Sequence, residues 1–458
     1  MADFTLTTTA DDITGTAGND VFRGPAGTLQ SFDVIDGGAG RDIMVADAAQ
    51  NGVQDPTISN IEFIYVDSGG QPFSIANITG AERLFADRAS LIVEDVAQED
   101  LAIRYGAQLV ESGTVDLRFD DGALEGTDDE LRLAAFNSNV TFTSGSTFDS
   151  PGGPENQTED ALRIESISLV SYGEENQVDI SDFSMTETLI MTGDAATTIS
   201  VDSPALTQFF ALRTTGGVTI ENDTDTDQDF TGGSGDDELT TGSGDDRIRG
   251  NDGDDVILAG GGDNVVNAGT GDDEVTTEQG ADIIVGGAGN DVISSGSGDD
   301  RVSGGTGNDE ITAGDGADII AGQDGDDMIM GQGGADQIYD GNGNDTADGG
   351  SDNDIFVAGA GNDTFTGGGG VDTFRFLGTT DRDEVTDFTL TTTAATNDIV
   401  EFSVGGAMQM LQSQGDFQDF VDQNGMLVTV DDATSTITID ADSGTIVLQV
   451  SDTDFLMV

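Results

Sequence analysis

Aspartates recur at every ninth residue through much of the second half of the chain. They are Asp237, Asp246, Asp255, Asp273, Asp282, Asp291, Asp300, Asp309, Asp318, Asp327, Asp336, Asp345, Asp354, Asp363 and Asp372, with Asn264 standing in line between Asp255 and Asp273. Each occupies the sixth place of the pattern G-G-x-G-x-D-x-U-x, where U is apolar, as in GGSGDDELT from Gly232, GGAGNDVIS from Gly286 and GGTGNDEIT from Gly304. Glycines let the loop adopt positive φ and turn its carbonyls toward a common point. Carbonyls plus a carboxylate make an all-oxygen donor set, which suits a hard cation taking six to eight oxygens. The spacing therefore predicts multiple Ca2+ sites.

The frame runs from Gly232 to Arg375 as sixteen units without a gap. Its eighth place holds Leu239, Ile248, Ile257, Val266, Val275, Ile284, Ile293, Val302, Ile311, Ile320, Ile329, Ile338, Ala347, Phe356, Phe365 and Phe374. Such a triplet reads as a short strand that buries one side chain. Two units then make one turn of a right-handed parallel roll, with loops n and n+2 stacked on one edge and an ion between them. A flexible glycine-rich linker would show no fixed apolar phase. Departures at Asn264, at Asp352 (in place of the fourth glycine) and at Ala347 predict weaker or missing metal nearby.

This block resembles the RTX (repeats-in-toxin) family, and the resemblance implies a calcium-binding repeat. Two further copies lie near the start, GTAGNDVF at Gly15–Phe22 and GGAGRDIMV at Gly37–Val45, with Asp20 and Asp42 in the sixth place. Lacking stacked neighbours in sequence, they read as vestigial solenoid turns and poorer calcium sites.

Around the roll the expected fold is all-β. Between residues 33 and 222 short apolar strands recur beside an acidic or amide residue: Glu62, Glu82, Glu165, Glu187 and Gln208. Periods near twenty residues suit a β-solenoid, with a β-sandwich as the competitor. Residues 148–160 read as a loop or insertion. The expected organisation is a strand segment with one nonapeptide (1–32), a solenoid-like assembly domain (33–230), the β-roll (232–375) and a C-terminal β-strand cap (376–458). Phe356, Phe365, Phe374 and Phe376 are expected to seal the roll, since a solenoid needs a cap. The octapeptide DFTLTTTA occurs at Asp3–Ala10 and again at Asp387–Ala394, which reads as coincidence between threonine-rich strands or, alternatively, as one subunit's N-terminal strand taking the place of its neighbour's C-terminal copy.

Composition narrows the function. Fourteen basic residues, all arginine, face 89 Asp and Glu, for a formal net charge of −75. Such a chain repels itself unless counterions intervene, and it offers no basic patch to nucleic acid. Histidine, cysteine and lysine are absent. That excludes an H-E-x-x-H protease, a Ser-His-Asp or Cys-His nucleophile and any lysine Schiff base. A carboxylate pair acting on a glycoside survives, but with so many acids spacing nominates none. The expectation is no enzyme. No apolar run approaches a membrane span.

The N-terminus lacks the charged and apolar regions of a cleaved signal. The ending SDTDFLMV resembles the uncleaved C-terminal signal of type I secretion substrates, which implies an extracellular or cell-surface location. Solenoid followed by RTX block also looks like the assembling portion of bacterial surface-layer proteins. The expected function is a secreted calcium-binding structural protein that self-assembles into a surface layer, filament or biofilm matrix. Its expected partners are other copies of itself and, through calcium, cell-surface polysaccharide or lipopolysaccharide. A secreted RTX adhesin, or a carbohydrate-active enzyme using the roll as an export and folding module, is the alternative.

Overall fold

The computed structural model describes residues 2–26, 28–30, 33–47, 56–67, 166–173, 175–181, 186–201, 203–376, 382–389 and 397–404, with further strands between 72 and 144 and between 407 and 450. The readings made for Glu82, Glu165, residues 148–160 and the terminal SDTDFLMV lie outside the described residues. All described secondary structure is strand. Among the described residues no helix is long and apolar enough to cross a membrane. The chain divides into two compact units, Met1–Glu238 and Leu239–Val458.

In the second unit the nonapeptide frame dictates the strands. One sheet stacks Val265 on Ile283, then Arg301, Ile319, Gln337, Ile355 and Thr373, all parallel and each eighteen residues after the last. The facing sheet repeats the offset from Glu274 through Val292, Glu310, Met328, Thr346 and Thr364. Two nonapeptides thus complete a turn. Eighth-place side chains from Ile248 to Phe374 are buried, as expected. The first-place residue also points inward: Ala259, Ala268, Thr277, Ser295 and Ala313 are buried. The core is therefore two side chains deep per strand instead of one, but the second is small because the unit's own sixth-place carboxylate and a carbonyl eighteen residues on approach it closely.

Position four shows why glycine dominates there. Gly289 has φ of 136° and Gly307 of 122°, a left-handed backbone that L side chains resist. Asp352 takes the equivalent place at φ 81°, which costs an L-residue on the order of 1 kcal/mol. Asp352→Gly is expected to stabilise the calcium-loaded protein by about 1 kcal/mol, measured by guanidinium denaturation in saturating calcium. No gain would show that this loop bears no such strain.

The roll ends in aromatics and a change of pairing. Phe356 stacks on Phe374 at 4.9 Å between ring centroids, and Phe365 contacts both Phe374 and Phe376. Beyond them Ile399–Val404 pairs antiparallel with Ala407–Leu411, and Gly444–Val450 pairs antiparallel with Thr436–Ala441. Antiparallel hairpins stop the parallel winding and cover its last rung.

The first unit winds with uneven rungs. Ile167, Leu189, Phe209 and Phe230 stack in parallel register and are all buried. Phe22, Met44 and Ile64 form a similar buried file. Parallel pairing rules out a sandwich of antiparallel hairpins for the described strands. In both DFTLTTTA copies the Asp-Phe pair lies in a strand and the Phe packs on another Phe. Asp3–Thr5 pairs with Val21–Arg23 and stacks Phe4 on Phe22, whereas Asp387 accepts the N–H groups of Gly367 and Gly368.

Candidate metal centre

The sixth-place aspartates form two buried columns, one on each edge of the roll. One edge holds Asp246, Asn264, Asp282, Asp300, Asp318, Asp336, Asp354 and Asp372; the other holds Asp255, Asp273, Asp291, Asp309, Asp327, Asp345 and Asp363. In each column the backbone N–H of one residue donates to Oδ1 of the residue eighteen places on, at 2.7–3.0 Å. Every member is at most 3% exposed. One carboxylate oxygen is thereby committed to holding the preceding turn.

The other oxygen is not. Oδ2 of Asp273, Asp282, Asp291, Asp300, Asp309, Asp318, Asp327, Asp336, Asp345 and Asp354 is buried and accepts no hydrogen bond from the protein. Orphaned buried oxygens on ionisable groups are expensive, and their recurrence at one place in every turn marks a binding position. Where the first place is glycine, it lies directly against that oxygen and a backbone carbonyl. A Cβ on Gly322 would meet Asp327 Oδ2 and the Asp340 carbonyl, and one on Gly331 would meet Asp336 Oδ2 and the Gly349 carbonyl. Carboxylate and backbone carbonyl oxygens converge there, so the donor set fits calcium. The sixth-place carboxylates, with the loop carbonyls around them, would hold the ions.

Electrostatics agree. Burial pushes the carboxyls of Asp273, Asp309, Asp345 and Asp354 up to about 7, and those of Asp300, Asp318 and Asp336 up to about 6. Asp282, Asp291, Asp327 and Asp372 are raised for the same reason. Donation from the preceding turn opposes this but does not cancel it. A cation would.

Not every predicted position is alike. Asn264 keeps the ladder, accepting from Asp246 at 3.0 Å and donating to Asp282, without a carboxylate to offer an ion. Asp237 has both oxygens bonded, to Val218 N–H and Gly233 N–H. Asp20 and Asp42 are not isolated. Asp20 N–H donates to Asp42 Oδ1 at 2.6 Å, and Asp42 N–H donates to Glu62 Oε2 at 2.6 Å. The twenty- and twenty-two-residue rungs stack what the sequence separates. Asp20 is held low, chiefly because Ala2 N–H donates to it, with help from Thr16. Burial raises Asp42, whose Oδ2 is an orphan like those of the roll.

Three features were missed in the sequence. Asp383 accepts from Asp363 N–H at 3.2 Å, and Asp398 from Asp372 N–H at 3.0 Å. Both columns therefore continue past Arg375, where the repeats were read as stopping. A second ladder runs beside the first in the opposite sense. The fifth-place residue's Oδ1 accepts from the N–H eighteen residues later, as in Asp254 to Asp272 and onward through Asn290, Asn308, Asp326, Asn344 and Asn362. Its signal was visible, since Asp or Asn fills most fifth places. The third is Asp340, a buried carboxylate in the first place of its unit.

The sequence pattern of the RTX calcium-binding nonapeptide repeat (4 copies) matches residues 7–28 and 30–52, and overlapping stretches that together run from 231 to 381. The chain carries RTX calcium-binding nonapeptide repeats over both of these stretches. Its repeats bind multiple Ca2+ ions, and the RTX match at 7–52 covers the Asp20 and Asp42 turns. RTX repeats are characteristic of type I secreted extracellular proteins. No curated protein matches the chain as a relative.

Proposed function

We propose that this RTX protein is exported by type I secretion, folds outside the cell as calcium fills its roll, and self-assembles through calcium into a surface layer, filament or biofilm matrix. The observation that carries the reading is the exposed row of fifth-place acids beside each buried column. Asp245, Asp263 and Asp299 flank one edge, and Asp254, Asp272 and Asp326 the other. Regularly spaced surface carboxylates on a chain of net charge −75 present two acidic faces that divalent ions can bridge between molecules.

Calcium also supplies direction to export. Where the ion is scarce, the desolvated carboxylates oppose winding and the chain stays extended. Extracellular calcium modules bind with Kd of about 10⁻⁴–10⁻³ M, so millimolar calcium fills them. A site at tenfold saturation contributes roughly 1.4 kcal/mol by mass action. The RTX β-roll is typical of structural, toxin or adhesin proteins and not of catalysis.

Size-exclusion light scattering and electron microscopy of the purified protein test the proposal, first in EDTA and then on titration to millimolar calcium. Ordered sheets or filaments are expected on calcium addition. A stable folded monomer at all calcium concentrations would leave the calcium roll intact and remove self-assembly.

A further inference from the structure

One unit of the roll breaks the pattern twice. DGNGNDTAD, from Asp340 to Asp348, has aspartate in the first place, where every other unit has Gly, Ala, Ser or Thr. It also has Ala347 in the eighth, where every other unit has Val, Ile, Leu or Phe. First-place side chains point into the cradle beside the sixth-place carboxylate, as Gly322 and Gly331 show. An acid there is therefore driven into a site that already contains acids. Asp340, Asp345 and Asp363 are each at most 1% exposed, and one oxygen from each lies within 4.8 Å of the others.

Asp340 Oδ1 is satisfied, accepting from Gly341 N–H and Gly359 N–H at 2.7 Å each. Its Oδ2, fully buried, accepts nothing from the protein, and neither does Asp345 Oδ2. The charges that act on Asp340 are those of Asp363 and Asp345. Three clustered buried carboxyls cannot all ionise alone; a proton or a cation must enter. Oxygens around one calcium, each about 2.3–2.6 Å from it, lie at most about 5 Å apart, which is the span observed. Magnesium would keep several waters, and this enclosed position favours the ion that accepts protein oxygens throughout. Ala347 is consistent with this. Its strand, Thr346–Ser351, packs against the Asp340 strand, Gln337–Asn342, and the unit that gains a carboxylate is the one that gives up core volume.

We propose that Asp340 joins Asp345 and Asp363 to hold a calcium ion inside the roll, at a three-carboxylate site that no other described unit builds. The test is native mass spectrometry of the full chain at saturating calcium, comparing wild type with Asp340→Gly and Asp340→Asn. Asp340→Gly restores the commonest first-place residue, and Asp340→Asn keeps the shape. Both are expected to retain one calcium fewer than wild type, with unchanged circular dichroism. Equal counts in all three proteins would overturn the site. Infrared detection of a protonated carboxyl in calcium-loaded wild type that disappears in Asp340→Asn would do the same, by showing a shared proton in place of the ion. Loss of two or more ions in Asp340→Asn would also overturn it, since Asp340 would then be serving the loop sites. If Asp340→Gly misfolds, the Asn variant alone decides. A roll that bound no calcium would read zero in every protein, which separates failure of this site from failure of calcium binding itself.

Discussion

In EDTA the roll should hold its β-structure near pH 4.5 and lose it as pH rises through 6–7, while millimolar calcium should keep it folded at pH 7.5. The sign follows from the buried columns. Burial raises Asp300, Asp318 and Asp336 to about 6 and Asp273, Asp309, Asp345 and Asp354 to about 7, against an ordinary aspartate value of about 3.9 in the unfolded chain. The metal-free fold binds the extra protons. Its stability is fully present below the unfolded value and is lost as pH climbs through the folded ones. Each pH unit traversed costs about 1.4 kcal/mol per carboxylate that titrates this way, so several together make the loss steep. Calcium removes the penalty by pairing with the charge directly.

General repulsion in so acidic a chain would also relax at low pH, and salt distinguishes the two causes. Molar sodium chloride screens exposed charges over a few ångströms but cannot reach carboxylates that are 0–3% exposed. Far-ultraviolet circular dichroism in EDTA at pH 7.5 should therefore show little recovery with salt and full recovery with calcium. A fold rescued equally by both would place the effect on the surface, away from the columns.

The roll was legible in sequence because its demands fall on residue types that few others can replace. A left-handed turn calls for glycine, and a buried oxygen pair at each turn calls for aspartate. Both recur in a frame that needs no gap from Gly232 to Arg375. What escaped was whatever broke the count. Asp383 and Asp398 continue the two columns at spacings of twenty and twenty-six residues, so their insertions hide a role that N-D-I-V at Asn397–Val400 spells out. Asp20, Asp42 and Glu62 were seen as separate residues because a rung of twenty or twenty-two leaves no short repeat to follow. The fifth place was set aside as variable, although its Asp and Asn carry a ladder of their own. Asp340 is one aspartate among many in the block, and only the inward direction of the first place gives it meaning. In the first unit the rungs share a buried file, Ile167, Leu189, Phe209 and Phe230, but loops of unequal length remove the periodicity that would have announced it.

The columns do two jobs with one side chain, and Asp309 can separate them. Its Oδ1 accepts from Asp291 N–H at 2.9 Å, which is the winding function, and its orphaned Oδ2 is the ion function. Asp309→Asn keeps the first and loses the second, as Asn264 already does naturally. In EDTA this variant should unfold at a higher pH than wild type, because one carboxylate raised to about 7 is gone. In calcium it should be less stable, by about 1.4 kcal/mol for each tenfold by which calcium exceeds the lost site's Kd. Asp309→Ala removes both functions and leaves a buried N–H unpaired at a further cost of about 1–3 kcal/mol, so it should lie below Asp309→Asn in both conditions. The reverse change, Asn264→Asp, should be destabilising in EDTA and stabilising in calcium, with one more ion bound. Paired denaturation curves in EDTA and calcium measure all three. If Asp309→Asn were destabilising in EDTA as well, the buried charge would be helping the metal-free fold, and the cation would not be what these carboxylates are held in place for.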